Sequence, residues 1–191
     1  MPVNTGRRTR VIASLIVLVM LSGCAPLATG SSQLGTRSPA FASERHCVER
    51  HGLPDPRCTP GAIRSGVSLA TICAFGYSPS VRPPESYTEP LKLAQMRAYD
   101  LPDRARDYEE DHLVPLSIGG APTDPANLWP EPRSGPYNAQ EKDQLETWVA
   151  RMACSQRIPL AALQHDMATN WIALFRAAGG ERVLRSYPPG G

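Results

Sequence analysis

The clearest hydrophobic pattern lies in the middle of the chain, where two short apolar runs flank a turn. Residues 113–116 are mostly apolar and indicate a strand, and residues 127–129 indicate a returning strand. Between them, residues 118–122 contain two glycines and a proline, which is the composition of a tight turn. The pattern predicts a strand, a loop and a second strand.

Two later segments have the period of an amphipathic helix. The first is predicted to begin at Asn138, and its apolar residues at i, i+3, i+4 and i+7 are Leu145, Trp148, Val149 and Met152. The second is predicted between Pro159 and Gly179, with His165 off its apolar face and exposed. Its apolar stripe, expected in the core, consists of Leu160, Leu163, Met167, Trp171, Leu174 and Phe175.

Upstream, residues 67–73 suggest another strand, and residues 76–84 suggest a turn followed by extended chain. Arg82 and Lys92 are candidate basic residues of a groove. These elements predict an α+β domain in which a strand, loop, strand and helix are flanked by further strand segments and a C-terminal helix.

The N-terminus has the pattern of an export signal. Arginines at positions 7, 8 and 10 precede the apolar residues 11–21, a run shorter than the roughly 20 residues of a membrane-spanning helix. The run ends in Leu-Ser-Gly-Cys at Cys24, which resembles the lipobox of bacterial lipoproteins and implies lipid attachment at Cys24. Ala25 next to it favours the outer membrane by the same resemblance. The alternative is ordinary secretion to the periplasm or the exterior.

The composition divides the chain into four parts. We predict a signal at 1–23, a flexible tether rich in Ser, Gly, Ala, Thr and Pro at 24–44, a folded domain at 45–185 with its ββα core at about 106–153, and a loose tail at 186–191. Three of the 20 basic residues lie in the signal, so the mature chain has 17 against 18 acidic residues, or a net charge of about −1. Blanket electrostatic binding to nucleic acid is therefore excluded, and any phosphate binding must be local.

Four cysteines remain once Cys24 is set aside. An even number in an exported chain predicts two disulfides with three possible pairings. The spacing favours a local Cys47–Cys58 bridge, which leaves Cys73 to meet Cys154. The alternative is a zinc site that uses His46 and His51 with nearby cysteines, but the spacing matches no zinc pattern and the histidines are expected at the surface.

The central segment also concentrates polar residues with catalytic chemistry. Asp111-His112 is followed after 15 residues by Asn127, and then by Asn138 with Lys142 one helical turn further on. This arrangement resembles the ββα-metal module of the HNH or His-Me finger nucleases. More narrowly, "EEDHLVPLSIGG", "NLWPEP" and "KDQLE" resemble a group of small exported HNH-like bacterial proteins.

The resemblance implies a role for each residue. His112 is the general base that activates water, and Asn127 holds the backbone near His112. Asp111 and Asn138 are the ligands of one Mg²⁺ or Mn²⁺ ion, which favours such oxygen donors. Acidic candidates to support the metal are Glu110, Asp143 and Glu146. The sequence departs from the eponymous pattern because Asn138 stands where many members have His, and Lys142 where some have another His.

Several of these residues have a structural alternative. Asn138 with Glu141 three residues later also forms the pattern of a helix capping box. Lys142, a candidate phosphate contact, is spaced for an i,i+4 ion pair with Glu146 on a solvated face. Arg133 is a second candidate phosphate contact, although a lone arginine in a loop usually faces solvent.

The combined expectation is a lipid-anchored, metal-dependent endonuclease with little sequence preference. Its substrate would be DNA or RNA, and its membrane contact would be the lipid at Cys24. The leading alternative is a catalytically inactive envelope lipoprotein that keeps the HNH fold for a binding or structural role.

Overall fold

The structure is a computed structural model that describes residues 46–101 and 104–186, apart from the side chain of Val183. The predicted signal, lipidation site at Cys24 and tether lie outside these residues, as does the tail beyond Ser186. Within the described ranges, no helix is long and apolar enough to cross a membrane.

The two predicted strands form an antiparallel pair, but the first lies earlier than expected. β1 spans Tyr108–His112 and β2 spans Leu128–Pro132, with His112 opposite Leu128. The apolar residues at 113–116 that indicated a strand are instead buried in the loop, which continues as a 3-10 turn at Leu116–Ile118. The prediction was wrong there because a short apolar run reports burial, and burial alone does not distinguish a strand from a buried loop.

The segment before the sheet is helical, so the predicted flanking strands are absent from the described chain. α1 spans Leu69–Ile72, α2 spans Tyr77–Val81 and α3 spans Glu85–Ala98. The strand prediction at 67–73 was wrong because Ser68 caps α1, with its hydroxyl accepting a hydrogen bond from the Thr71 N–H. Within residues 76–84, the structure has the short helix α2 where part of the turn was predicted, whereas Arg82 and Pro84 are extended as expected.

The two later helices confirm the periodic pattern. α4 spans Ala139–Cys154, α5 spans Leu160–Ala177 with a kink at Asn170, and a short α6 spans Gly180–Leu184. These helices pack on the loop and on β2 around one core. Its members include Leu113, Val114, Ile118, Trp129, Leu145, Val149, Leu163, Met167, Trp171 and Phe175. The domain is therefore mixed helix and strand, with the hairpin packed against α3 and joined to α4 by ion pairs.

Both predicted disulfides are present. Cys47 is bonded to Cys58 with a Cα–Cα distance of 6.1 Å, and Cys73 is bonded to Cys154 at 5.7 Å. The second bridge joins Cys73, the C-cap residue of α1, to Cys154, the last residue of α4. His46 and His51 are exposed, as expected. Two disulfides suggest a non-reducing extracellular or periplasmic setting.

We expect the Cys73–Cys154 bridge to stabilise the fold more than Cys47–Cys58 does. The bridges span 81 and 11 residues. In the chain-entropy model these loops correspond to about 4–5 and about 3 kcal/mol respectively. Urea unfolding of the Cys73→Ser/Cys154→Ser and Cys47→Ser/Cys58→Ser pairs measures the difference. A larger loss for the shorter loop would contradict the entropic explanation.

Candidate functional site

His112 is the last residue of β1, and its ring is held in one orientation by the loop. The side chain is 4% exposed, and its Nε2 lies 2.9 Å from the Pro122 carbonyl oxygen. A carbonyl oxygen can only accept, so Nε2 carries the proton and Nδ1 keeps its lone pair. Burial lowers the pKa of His112, against the opposing effects of the Asp111 carboxylate and the Pro122 carbonyl. The ring is therefore a neutral base at neutral pH.

Asn127 fixes both ends of the loop that carries Pro122. Its Oδ1 accepts a hydrogen bond from the Val114 N–H at 2.9 Å. Its Nδ2 donates to the Val114 carbonyl at 3.0 Å and to the Ala121 carbonyl at 3.1 Å. The side chain is fully buried, two residues before β2 residue Trp129. These bonds hold the backbone on both sides of the His112–Pro122 contact.

Gly120 lets the loop close this tightly. A Cβ at this position would lie 1.8 Å from the Val114 carbonyl oxygen and 2.8 Å from Asn127 Nδ2. Backbone therefore approaches backbone at a distance that excludes every side chain. We call the three side-chain hydrogen bonds of Asn127 to Val114 and Ala121 the Asn127 clamp. Packing inside this clamp requires a glycine at position 120.

We expect Asn127→Ala to destabilise the protein by about 3 kcal/mol or more, because three buried backbone groups each lose a partner worth about 1–3 kcal/mol. Asn127→Asp keeps the acceptor for Val114 N–H but directs a carboxylate oxygen at two carbonyls. The loss of stability in Asn127→Asp should therefore be larger at pH 7 than at pH 4. Chemical denaturation at both pH values measures these effects.

Asn170 offers a matched control, since this exposed asparagine makes one side-chain bond, to the Ala173 N–H. We expect Asn170→Ala to cost about 1 kcal/mol, as for a helix cap. Equal losses for Asn127→Ala and Asn170→Ala would show that the clamp contributes no more than an ordinary cap.

Asp111 points to the other face of β1, because adjacent strand residues alternate. Its Oδ2 is bonded to the Lys142 ammonium of α4. Lys142 also pairs with Glu146 one turn later, and its Nζ lies 3.8 Å from a Glu131 carboxyl oxygen on β2. Lys142 is 0% exposed. The predicted Lys142–Glu146 pair is thus present, but in a buried cluster of one ammonium and three carboxyls, and not on a solvated face.

The three acids of the cluster have pKa values that are shifted in different directions. Burial opposes ionisation of Asp111, but the charge and the hydrogen bond of Lys142 hold the pKa of Asp111 below its usual value. Burial raises the pKa of Glu131 well above its usual value, which favours its protonated form, and both of its carboxyl oxygens are buried without a hydrogen-bond partner. Burial likewise raises the pKa of Glu146 to about 7. The three acids surround Lys142, whose own pKa is raised by their charges despite burial.

The raised acids set the pH dependence of stability. Between about pH 4.5 and 7 the folded Glu146 binds a proton that the unfolded chain has lost. Burial also raises the pKa of Asp143 to about 6, which acts in the same direction at slightly lower pH. Stability rises with pH only where the unfolded state binds more protons, so these groups make the domain less stable as pH increases through this window.

We expect Lys142→Met to destabilise the protein by about 3–5 kcal/mol at pH 7.5, because it leaves buried carboxyls without their cation. The loss should shrink at pH 5.5, where Glu146 is protonated. Denaturant unfolding at the two pH values measures it. Lys92→Met is the matched control, since Lys92 is also buried but pairs with the single exposed acid Glu89. A loss independent of pH would argue against charge as the cause.

Asn138 is the N-cap of α4. Its Oδ1 accepts from the Glu141 N–H at 3.2 Å, and the Glu141 carboxylate accepts from the Asn138 N–H at 3.1 Å. Its Nδ2 donates to the Gly135 carbonyl at 2.7 Å. The capping box that was the alternative to a metal ligand is therefore formed. Only the second lone pair of Oδ1 is left for a cation.

The remaining predicted residues lie around the hairpin. Arg133 Nη1 bonds the Glu109 carboxylate at 2.7 Å, and its Nε donates to the Tyr108 carbonyl. Asp143 is half-buried on α4, within electrostatic reach of Asp111. Glu110 lies on the His112 face, and both its carboxyl oxygens are buried without a hydrogen-bond partner. Burial raises the pKa of Glu110 well above its usual value.

Two positions of the candidate site were missed from the sequence. The Pro122 carbonyl that orients His112 leaves no trace in residue type, because any residue supplies a carbonyl. Glu131 could have been found from the sequence. It lies two residues after Trp129 and therefore on the same face of β2, which is the face that carries the cluster.

The donor chemistry of the Asp111 face fits a hard divalent cation, since carboxylate oxygens are the donors such ions favour. In the described part of the chain, however, no group of three or more His, Cys, Asp or Glu side chains is arranged to hold a metal ion. Asp111 is engaged by Lys142. A cation at Asp111 would therefore have to share its carboxylate with the ammonium.

Comparisons with known proteins give no match to a family model, a curated protein or a solved structure. The functional argument therefore depends on the geometry of the residues described above.

Proposed function

We propose that the protein is a metal-dependent endonuclease of the HNH type, which hydrolyses phosphodiester bonds in DNA or RNA with little sequence preference. The observation that carries this proposal is the orientation of His112. Its Nε2–H is hydrogen-bonded to the Pro122 carbonyl, so Nδ1 is left as the base. The residue directly before His112 in the chain is the acid Asp111. The strand, loop, strand and helix order around it is that of the ββα-metal module it resembles.

The base role follows from the protonation state of His112. A general base must be neutral at the working pH and must keep one lone pair for the proton of water. Burial lowers the pKa of the ring, which provides the first condition. The Pro122 carbonyl provides the second by assigning the proton to Nε2. The Asn127 clamp keeps this carbonyl in place when the ring becomes charged.

Asp111, with Asn138 as the second candidate, would hold one Mg²⁺ or Mn²⁺ ion. A divalent cation supplies charge relief for the phosphate and the leaving oxygen. Glu146 and Asp143 lie near Asp111 and adjust the charge of this face by taking up or releasing protons near neutral pH.

The proposed location is the bacterial envelope. The lipobox at Cys24 would anchor the chain, and the two disulfides agree with a site outside the cytoplasm. A mature charge near zero fits an enzyme that meets its substrate locally and does not coat nucleic acid.

We expect the purified full chain to degrade plasmid DNA or RNA in Mg²⁺ or Mn²⁺ and to stop in EDTA. His112→Ala should reduce the rate by a factor of about 10² or more, the usual contribution of a general base. The measurement is the initial rate of cleavage on a gel or with a fluorescent oligonucleotide. His165→Ala is the matched control, because His165 is an exposed histidine on α5.

Metal-dependent cleavage that survives His112→Ala would exclude the proposed mechanism. Mn²⁺ binding separates the two neighbouring residues, since Asp111→Ala should weaken binding more than His112→Ala does. The reverse order would mean that the ligand and the base have been exchanged.

The second candidate is an inactive lipoprotein that keeps the fold for binding, and the Lys142–Asp111 ion pair favours it. An ammonium already satisfies the carboxylate that a metal would use. The absence of cleavage with every metal tested, together with no Mn²⁺ binding by the wild type, would support this function.

A further inference from the structure

The loop between α1 and α2 carries a fully exposed aromatic side chain. Phe75 is 108% exposed, whereas the other exposed large apolar side chains of the described chain are 46–47% exposed. We call residues 73–76 the Phe75 tip. Its other members are a disulfide-bonded Cys, an Ala and a Gly, so the tip has no side chain that makes strong hydrogen bonds. A single exposed apolar residue is common, and the surroundings of the tip decide its meaning.

The Phe75 tip is held in one conformation from both sides. Cys73 is bonded to Cys154 at the end of α4. On the other side Tyr77 is buried, and its N–H donates to the Ala74 carbonyl at 3.1 Å. The Tyr77 hydroxyl accepts a hydrogen bond from Arg64 Nη1 at 3.5 Å. Phe75 is thus presented on a fixed turn, and a contact made by it would cost little ordering of the backbone.

Three segments around the Phe75 tip contain no Asp or Glu. Residues 56–84 include the tip, and residues 147–165 are joined to it by the Cys73–Cys154 bridge. Residues 112–123 pack on both through the 3-10 turn that follows β1. This part of the domain therefore lacks the acids that crowd the hairpin.

Basic residues are present in the same segments. Arg57 is paired with Asp55, which leaves four arginines, all of them exposed. The mature chain as a whole has 17 basic against 18 acidic residues, so its positive charge is concentrated around the tip. A basic surface with an apolar tip complements a surface that is anionic outside and apolar beneath. The four arginines are Arg64, Arg82, Arg151 and Arg157.

We propose that the Phe75 tip docks on an anionic phospholipid bilayer, with Phe75 at the boundary of headgroups and acyl chains. The inference rests on the proposed lipid-anchored location and adds a second membrane contact to it. An apolar side chain gains burial at this boundary, and each arginine close to an anionic surface adds electrostatic attraction. The lipid at Cys24 would keep the domain near the bilayer, so a weak contact is enough.

Docking at the Phe75 tip would separate the candidate site from the bilayer. The tip is bonded to the last residue of α4, and Lys142 lies near the first turn of the same helix. At 1.5 Å per residue, Lys142 and Cys154 are about 18 Å apart along α4. The hairpin cluster at Lys142 is therefore at the other end of the helix from the proposed lipid contact.

The test uses the full chain reconstituted into vesicles of phosphatidylcholine with about one-third phosphatidylglycerol. Phe75→Trp places a fluorophore at the tip, and bromine on the acyl chains quenches a tryptophan that reaches them. We expect the emission added by Phe75→Trp to be quenched in these vesicles and much less in phosphatidylcholine alone. Arg64→Ala or Arg157→Ala in the Phe75→Trp chain should each lower the ratio of docked to undocked protein about five-fold.

The chain offers a matched control for each change. Leu93 is 46% exposed on α3, a helix that carries Glu85 and Glu89, so Leu93→Trp should not be quenched. Arg185 is exposed and paired with Glu181, so Arg185→Ala should leave the quenching of Phe75→Trp unchanged.

Absence of added quenching in Phe75→Trp, equal quenching of Leu93→Trp, or equal quenching without phosphatidylglycerol would overturn the inference. Quenching of the introduced tryptophan by a single-stranded oligonucleotide and not by brominated lipid would also overturn it, and would assign the tip to nucleic acid.

The nuclease proposal is tested separately. Phe75→Ser should leave the cleavage rate of a soluble oligonucleotide unchanged, so a cleaving protein without lipid quenching rejects this inference alone. Charge-dependent quenching in a protein that never cleaves supports the inference and rejects the nuclease function. The same quenching in a chain that mass spectrometry shows without acyl groups at Cys24 supports the tip and rejects the anchor.

Discussion

The buried ammonium of Lys142 is the interaction on which the arrangement of the hairpin depends. It joins α4 to β1 through Asp111 and to β2 through Glu131, with Glu146 completing the cluster from the same helix. A charge in the interior is tolerated only when it is paired and hydrogen-bonded. Three acids around one cation meet this condition more readily if one of them keeps a proton, and burial favours that form of Glu131 by raising its pKa.

This constraint gives the two faces of β1 separate chemistry. Because Asp111 is held toward α4, its neighbour His112 must point to the opposite face, where the loop supplies the Pro122 carbonyl. The loop is held by Asn127, and Gly120 allows it to pass close to Val114. The orientation of the His112 ring is therefore a consequence of an ion-pair cluster on one side and of the Asn127 side-chain hydrogen bonds on the other. Neither requires a bound ligand.

The sequence predicts the parts of this arrangement that depend on local pattern. The period of α4 and α5 and the disulfide pairings are confirmed, because apolar spacing and cysteine number are local or countable properties. α3 was missed because its sequence is polar, includes Pro90 and buries Lys92 and Gln95. The burial of Lys142 was missed for a related reason. Its partners Asp111 and Glu131 come from distant strands, and helical spacing reveals only Glu146.

Under the proposed nuclease function, the last two residues of β1, Asp111 and His112, would serve one reaction although they face apart. A strand separates its faces only while it continues, and β1 ends at His112. At this end, the Lys142 cluster and the His112 ring lie on either side of one backbone. A phosphodiester at the strand end would meet the base from one side and the carboxylates from the other. The end of β1 is therefore where the proposed metal ligand and the proposed base would act on one substrate.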